Sequence, residues 1–363
     1  MRKIMLSFMI LFTTACFWQM GVAQQGKKEK KYFDWSPQKD VNKPNEKPPS
    51  RILPLIQVKE NKFINTAGDT VLFRGVAIAD PDKLEQQGRW NKNLFVKVKE
   101  MGAMIVRIPV HPVPWRMRTP EKYLSLLDQA VEWSTDLGMY VDIDWHSIGN
   151  LGMELFQDPV YNTTRKETYE FWRTMAVHFK GNTTIAFFEL FNEPTLFNGQ
   201  LGSMTWSEWK TINENIIHLI RAYDTEKIPL VAGLDWAYDL TPIRIEPIQA
   251  AGIAYVTHPY QHKRQPPYET KWEEDFGFAA SVYPVVASEF GLIDDLSEKE
   301  DYGKSIIKYL EGNGISWMCW IYDPDWYPRL IESFDTFKLT SGGEFFQQAL
   351  QKNLKQPNNV EQK

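Results

Sequence analysis

Two glutamates that end short apolar segments are the candidates for acid–base chemistry in this sequence. Glu193 lies in an Asn-Glu-Pro segment at 192–194, and Glu289 lies in a Ser-Glu-Phe-Gly segment at 288–291. Two carboxylates on opposite walls of a groove suit cleavage of a glycosidic bond, because one protonates the leaving oxygen while the other attacks or stabilises the anomeric carbon. A single glutamate at such a place is more often half of a salt bridge, so the inference depends on the residues around the pair.

Other polar and aromatic side chains end or follow further apolar segments, and they suggest one shared site. They are Arg107, His146, Asn192, Trp236, His258, Tyr260 and Trp320. In a closed α/β barrel the chemistry gathers at the carboxyl ends of the strands, so residues at these positions converge on one mouth. That many convergent groups are difficult to explain as surface solvation.

The elements that position these residues are predicted by an alternation of short β-branched runs with longer stretches of helical period. We predict eight strands, at Val71–Ile78, Met104–Val110, Tyr140–Trp145, Ile185–Phe191, Pro229–Leu234, Ile253–Thr257, Val285–Glu289 and Ile315–Tyr322. Eight strands separated by helices predict an α/β fold, a (β/α)8 TIM barrel in a single catalytic domain over residues 51–355. A short N-terminal hairpin over Phe63–Val71, with a Gly-Asp turn, is expected to plug the amino end of the barrel.

With these motifs in place, the chain resembles glycoside hydrolase family 5, a cellulase-like family of the retaining (β/α)8 barrel clan. The resemblance covers roughly Leu53 to Leu350, and the eight active-site positions of that family each have a counterpart in the right order. These are Arg107, His146, Asn192, Glu193, His258, Tyr260, Glu289 and Trp320. Asn-Glu-Pro alone is moderately specific, whereas all eight positions together are strongly so.

The resemblance implies that Glu193 is the acid/base and Glu289 the nucleophile, and elementary chemistry supports this division. The acid must hold a proton near neutral pH, while the nucleophile must stay ionised. Arg107 and Tyr260 can supply a positive charge and a hydroxyl donor beside Glu289. By the same resemblance Asn192 holds the sugar 2-hydroxyl. His146 and His258 serve as hydrogen-bonding partners of the sugar and of the acid/base, although each could instead be a satisfied core histidine.

The expected substrate is a β-linked polysaccharide or oligosaccharide. Trp320 is the expected floor under the sugar that is cleaved, because an aromatic face stacks on the apolar face of a pyranose. Trp236 is a further candidate platform, and Trp115, Trp145, Trp206 and Trp326 either extend the groove or pack in the core. Within the family, an endo-acting β-1,4-glucanase is favoured. The alternatives are a β-mannanase, a mixed-linkage or exo-acting β-glucanase, and a non-catalytic carbohydrate-binding barrel.

The first 50 residues predict export. Arg2 and Lys3 precede an apolar run over Ile4–Trp18, and small residues lead to Ala23, which is typical of a signal peptide over residues 1–23. Lipid attachment at Cys16 is a minor alternative. A Lys- and Pro-rich stretch over 24–50 predicts a disordered linker, and residues 356–363 a frayed tail. The mature protein is therefore expected to be secreted, periplasmic or on the cell surface.

Composition excludes several classes of partner. The formal net charge is -5, so there is no pull towards the phosphates of nucleic acid. The apolar run before Ala23 is too short to span a bilayer comfortably, so no membrane span is expected. With six histidines and two cysteines, and with prolines near His258 and His262 that disfavour a helix presenting both, we expect no metal and no cofactor. Cys319 lies in an apolar run and is expected to be a buried thiol without a catalytic role. We expect a monomer.

Overall fold

The computed structural model describes residues 53–293 and 299–354. The predicted signal peptide, linker, Cys16 and frayed tail lie outside the described residues. Eight strands form a closed barrel, and we number them in chain order. They are β1 (Arg74–Ile78), β2 (Ile105–Val110), β3 (Tyr140–Trp145), β4 (Ile185–Glu189), β5 (Ile228–Ala232), β6 (Ala254–Val256), β7 (Val285–Phe290) and β8 (Ser316–Tyr322).

Every neighbouring pair of barrel strands is parallel, and β8 pairs with β1 to close the barrel. The predicted TIM barrel is therefore confirmed, and the strand bounds agree within a few residues with one exception. The first strand was predicted to begin at Val71, but Val71 belongs to a separate strand at Thr70–Val71, and β1 begins at Arg74. The residues between the two strands, Leu72 and Phe73, are apolar like the strands themselves, so the hydrophobic pattern does not show where one strand ends and the next begins.

Helices on the outside of the barrel connect the strands. They are α1 (Pro81–Gln86), α2 (Lys92–Glu100), α3 (Pro112–Arg118), α4 (Pro120–Leu137), α5 (Arg165–His178), α6 (Trp206–Arg221), α7 (Tyr268–Asp275), α8 (Lys299–Gly312) and α9 (Ser341–Leu354). Helix α4 ends at Gly138, whose φ of 65° places it in the left-handed region that glycine adopts without steric cost. No helix among the described residues is both long and apolar enough to cross a membrane.

Shorter elements lie at both ends of the barrel. The strands Gln57–Lys59, Lys62–Ile64 and Thr70–Val71 form one small antiparallel sheet, and Ile148–Asn150, Leu155–Phe156 and Glu193–Pro194 form another. Single turns of 3-10 helix occur at Pro159–Tyr161, Thr241–Arg244, Gln261–Lys263 and Gly277–Ser281.

The first small sheet covers the amino end of the barrel. Phe63 pairs with Val71 in an antiparallel hairpin, and its ring lies 5.0 Å from that of Phe187 in β4. Both rings belong to a buried apolar cluster that also includes Ile105, Leu230 and Val286 from other strands of the barrel. This end of the barrel is therefore a packed floor, and chemistry is left to the opposite end.

Above this floor the barrel interior becomes polar. Side chains alternate along a strand, so the charged residues Asp142 and Asp144 point to the same side of β3. Arg107 on β2 pairs in register with Asp142, and Asp144 pairs with Glu189 on β4. All four side chains are fully buried. Burial of charge is costly unless the groups pair, and in this layer Arg107 pairs with Asp144 and Glu189.

Candidate active site

Arg107 holds the centre of the site. Its Nε and Nη2 donate to the two carboxylate oxygens of Glu189 at 2.9 and 3.0 Å, and Nη1 donates to Glu289 Oε2 at 2.8 Å. Nη2 also donates to Asn192 Oδ1 at 2.6 Å and lies 3.0 Å from Asp144 Oδ2. The planar guanidinium thereby sets the positions of groups from three strands at once.

Glu289, near the end of β7, has each carboxylate oxygen bound to a different donor. Arg107 binds Oε2, and the Tyr260 hydroxyl donates to Oε1 at 3.0 Å. Burial raises the pKa of Glu289, and nearby Glu193 adds to this, while His258 and Arg107 lower it. The expected cationic and hydroxyl partners of Glu289 are thus present, but the effect of burial is larger and the pKa of Glu289 is raised.

Glu193 is held from both its backbone and its side chain. Its N–H donates to the Ser147 carbonyl at 3.1 Å, in the small sheet that continues from β3. His258 Nδ1 lies 3.0 Å from Glu193 Oε1, and His258 Nε2 lies 3.0 Å from Ser288 Oγ. Burial alone would lower the pKa of His258, but Glu289, Glu189 and Glu193 together raise it to about 9. His258 is therefore a cation at neutral pH and a donor to Glu193.

The two candidate catalytic carboxylates are close together. One oxygen of Glu193, one oxygen of Glu289 and one ring nitrogen of His258 all lie within 4.8 Å of one another. Three such groups could hold a metal ion, yet both nitrogens of His258 are already bonded and its charged form cannot ligate a metal. Both oxygens of Glu289 also have donors. The chemistry of this donor set fits proton transfer better than metal binding.

Asn192 has one polar atom to offer a ligand. Its Oδ1 accepts from Arg107, whereas its buried Nδ2 has no hydrogen-bond partner anywhere in the described part of the chain. Its backbone N–H is fixed by the carbonyl of Trp145 at 3.1 Å. An oriented and unpaired amide donor beside Glu193 and Glu289 matches the requirement for a contact to a sugar hydroxyl.

His146 and Trp320 form one aromatic wall of the site. Their rings are stacked, 5.4 Å apart with an interplanar angle of 6°, and the Arg107 guanidinium lies 5.9 Å from the Trp320 ring. His146 Nδ1 lies 2.6 Å from Asp144 Oδ2. Burial lowers the pKa of His146 well below its ordinary value, and the neighbouring His111 and Arg107 lower it further. His146 is thus neutral and is hydrogen-bonded to Asp144. The histidine that contacts Glu193 is His258.

Trp236 lies on the loop after β5, on the Glu193 side of the mouth. Its N–H donates to the Pro194 carbonyl at 3.1 Å, and its indole N–H donates to Gln157 Oε1 at 2.9 Å. Lys263 Nζ lies 4.5 Å from its ring. Asp235, Trp236 and the next residue, Ala237, all have φ between 55° and 60°, a region that L-residues rarely adopt. Such a strained segment persists only when its surroundings fix it.

The other candidate tryptophans divide between core and groove. Trp145, Trp115 and Trp206 are buried, and Trp145 is stacked on the ring of Phe171 at 4.1 Å. Trp326 is half-buried and stacks 6.0 Å from Trp320. It also lines a cavity of about 400 Å³. The polar residues that line this cavity include Lys83, Gln86, Gln87 and His111.

Sequence reasoning missed three groups that tie the site together: Asp144, Glu189 and Ser288. Glu189 accepts from Arg107 and also from Ser288 Oγ at 3.0 Å, and Ser288 lies against His258. The signal was present, because a charged residue inside a buried strand must face the barrel interior when its neighbours face the helices. Cys319 is fully buried as expected, and burial raises the pKa of its thiol.

A closed (β/α)8 barrel whose mouth holds two adjacent carboxylates, a free amide donor and stacked aromatic rings is the architecture of a glycoside hydrolase. The family comparison agrees. The profile described as cellulase, glycosyl hydrolase family 5, matches residues 65–325. The chain therefore belongs to glycosyl hydrolase family 5, a family of enzymes that hydrolyse O-glycosyl bonds.

Curated relatives include endoglucanase A of Butyrivibrio fibrisolvens, 31% identical over 208 residues, and endoglucanase E-5 of Thermobifida fusca, 25% identical over 234 residues. These matches cover 55% and 62% of this chain, and 43% and 46% of the relatives. The chain thus spans less than half the length of these two relatives.

Solved structures match over more of the chain. A β-glucanase from Saccharophagus degradans, solved in complex with cellotetraose, is 42% identical with a TM-score of 0.84. The match covers 87% of this chain and 99% of that one. The catalytic domain of Thermobifida fusca endoglucanase Cel5A shares the fold, with 20% identity, a TM-score of 0.67, and coverage of 82% and 97%.

Proposed function

We propose that this protein is a secreted, retaining endo-β-1,4-glucanase that cleaves β-glucan chains by double displacement at Glu289 and Glu193. The observation that carries the retaining double-displacement mechanism is the close approach of the two carboxylates, each of which has an oxygen within 4.8 Å of an oxygen of the other. Retaining glycosidases place their carboxyl groups about 5–5.5 Å apart, whereas inverting enzymes need about 6.5–9.5 Å to admit a water molecule between carboxylate and sugar.

In the first step, Glu289 attacks the anomeric carbon while the Glu193 carboxyl gives its proton to the glycosidic oxygen. The bond from the anomeric carbon to the leaving oxygen breaks, and a glycosyl ester forms on Glu289. Arg107 and Tyr260 orient the attacking carboxylate through their bonds to its two oxygens. The free amide donor of Asn192 binds the 2-hydroxyl, a contact that strengthens in the transition state.

In the second step, water attacks the same anomeric carbon from the face that the leaving group vacated. Glu193, now ionised, takes a proton from that water, and Glu289 departs as a carboxylate. His258 supports this step, because its contact with Glu193 Oε1 at 3.0 Å holds that carboxyl group in place. Two inversions at one carbon leave the product with the configuration of the substrate.

The relatives support β-glucan as the substrate class. They include endoglucanases and a β-glucanase whose structure contains cellotetraose. Trp236 follows β5 and is bonded to the Glu193–Pro194 segment, while Trp320 and Trp326 stack at the end of β8. Aromatic faces from two separate strand ends suit the binding of several sugars of a chain. Mixed-linkage and exo-acting β-glucanases or a β-mannanase would use the same machinery. A non-catalytic barrel would have no need for two glutamates with separate partners.

The test is to incubate the protein from Gln24 onward with carboxymethylcellulose, barley β-glucan, glucomannan and galactomannan, following reducing ends and viscosity together. Internal cleavage lowers viscosity early, when few reducing ends have formed. We expect this pattern on the two glucans. The double variant Glu193→Gln, Glu289→Gln is the matched control, because it keeps the shape of the site and removes both carboxylates.

The other outcomes separate the alternatives. Activity confined to mannans keeps the mechanism and overturns the glucanase assignment. Reducing ends without a fall in viscosity indicate removal of units from chain ends. Silence on all four polymers and on aryl cellobiosides overturns the catalytic proposal in favour of a binding barrel.

A further inference from the structure

Asp142 is a buried carboxyl group that the mechanism above does not use. It lies in the middle of β3, fully buried, with its side chain on the barrel interior. Neither of its carboxyl oxygens accepts a hydrogen bond from any described residue. Asp142 pairs in register with Phe187 on the neighbouring strand β4, and Glu189 lies two residues further along on the same face of that strand. The Glu189 carboxylate acts on Asp142 and is itself an acceptor. Two buried carboxylates in contact repel each other unless a proton lies between them.

Glu189 is the member of this pair that is ionised. Its oxygens accept two hydrogen bonds from Arg107 and one from Ser288. Burial opposes ionisation, but Arg107 and His258 together lower the pKa of Glu189 to about 2. Because Glu189 has three hydrogen-bond donors and Asp142 has none, the proton between the two carboxyl groups belongs to Asp142.

The number of charged groups in the barrel mouth also indicates that Asp142 is the protonated carboxyl group. The mouth holds five buried carboxyl groups, and the two cations Arg107 and His258 contact four of them: Asp144, Glu189, Glu193 and Glu289. Asp142 makes no hydrogen bond or ion pair with either cation. The charged groups that act on it are Glu189 on β4, Arg107 on β2 and Asp144 on its own strand.

We propose that Asp142 is a positioning residue that remains a neutral carboxylic acid and donates a hydrogen bond to Glu189. Hydrogen bonds connect Glu189 to both catalytic carboxylates. Arg107 links it to Glu289, and Ser288 and His258 link it to Glu193. The Asp142 donor fixes the orientation of Glu189, and through it the geometry of both catalytic carboxylates. The kinetic consequence rests on the proposed function, whereas the protonation state of Asp142 does not.

Three variants test this inference. Asp142→Asn keeps the shape and supplies a neutral N–H donor, whereas Asp142→Leu removes the donor. Asn213→Leu is the matched control, because Asn213 is also fully buried and polar but lies on α6, where its amide bonds the Trp209 carbonyl. It reports the effect of burying leucine in place of a polar group outside the site.

The first measurement counts protons released on unfolding at pH 7, by calorimetry in buffers of different ionisation enthalpy. A native-state carboxylic acid loses its proton when the chain unfolds, because a free aspartate is ionised at this pH. Asp142→Asn is therefore expected to release one proton fewer than wild type. Equal counts, or a failure of Asp142→Asn to fold, overturn the proposal, because they show that the native group is ionised or that a neutral donor cannot replace it.

The second measurement is the pH profile of kcat/KM on carboxymethylcellulose. Loss of one buried hydrogen bond to a charged group lowers rates by about 10- to 100-fold. We expect Asp142→Leu to show such a loss with displaced pH limbs, Asp142→Asn to recover most of it, and Asn213→Leu to keep the wild-type limbs. Unmoved limbs in Asp142→Leu refute the positioning role. An inactive wild type would refute the proposed function and leave the proton count valid.

Discussion

Replacement of Arg107 by methionine tests whether one cation holds the barrel mouth together. Arg107 lies within 3.0 Å of the carboxylates of Asp144, Glu189 and Glu289. Methionine fills a similar volume but removes this shared positive charge. Removal of one partner from a buried ion pair costs about 3–5 kcal/mol, because the remaining charge stays desolvated. The variant can reduce this cost only by protonating a carboxylate.

The cost of that proton depends on pH in a way that can be worked out. A glutamate with an ordinary pKa of 4.5 needs about 4 kcal/mol to hold a proton at pH 7.5 and about 1.4 kcal/mol at pH 5.5, at about 1.36 kcal/mol per unit. The destabilisation by Arg107→Met should therefore shrink by up to about 2.7 kcal/mol, for each carboxylate that takes up a proton, between pH 7.5 and 5.5.

Urea denaturation of wild type, Arg107→Met and Arg107→Lys at the two pH values measures these differences in free energy of unfolding. Lysine keeps the charge but not the planar fork, so its destabilisation should be smaller and nearly independent of pH. A loss below about 1 kcal/mol in Arg107→Met at pH 7.5 would refute the reasoning, since breaking a buried pair should cost several times that. So would a loss that is equal at both pH values.

Three further predictions concern the residues around the catalytic pair. The raised pKa of His258 means that its charge stabilises the fold below pH 6.5, and this contribution is lost as the pH rises through about 9. The free energy of unfolding of His258→Asn should therefore fall less steeply than that of wild type over this pH range. An unchanged slope contradicts this prediction. Trp236→Ala should lower kcat/KM about tenfold on polymeric glucan and little on aryl cellobiosides, whose leaving group is short. Equal losses on both substrates would show that the Trp236 ring does not bind the leaving-group side of the chain. Glu193→Ala should slow polymers far more than activated aryl glycosides, and equal losses would argue against its role as the acid.

The barrel and the composition of its mouth could be predicted because both follow from local patterns. Strand runs such as Tyr140–Trp145 consist of residues that favour strands, and the residues at their carboxyl ends meet at one mouth in any parallel barrel. The start of β1 was missed because Val71 and Arg74 lie in one extended stretch, although Val71 pairs with the hairpin.

The contacts within the site could not be predicted, because they depend on register across the barrel. The sequence shows that Arg107 and Glu189 are present, but not that they are within 3.0 Å of each other while separated by 82 positions. The left-handed segment at Asp235 and Trp236 lacks a glycine and gives no sequence signal. The acidic pattern at Asp142 and Asp144 was visible, and its inward orientation follows from strand alternation once burial on both faces is known.

The most direct test of the central claim is the product that Glu289→Ala forms from 2,4-dinitrophenyl β-cellobioside in the presence of azide. If Glu289 is the nucleophile, the variant is inactive alone, because it cannot form the glycosyl ester. Azide should then occupy the space of the missing carboxylate, restore turnover and give the α-cellobiosyl azide, which nuclear magnetic resonance identifies by its anomeric coupling. A β-configured azide would instead show that another group on the protein attacks first, and would remove Glu289 from the role assigned to it.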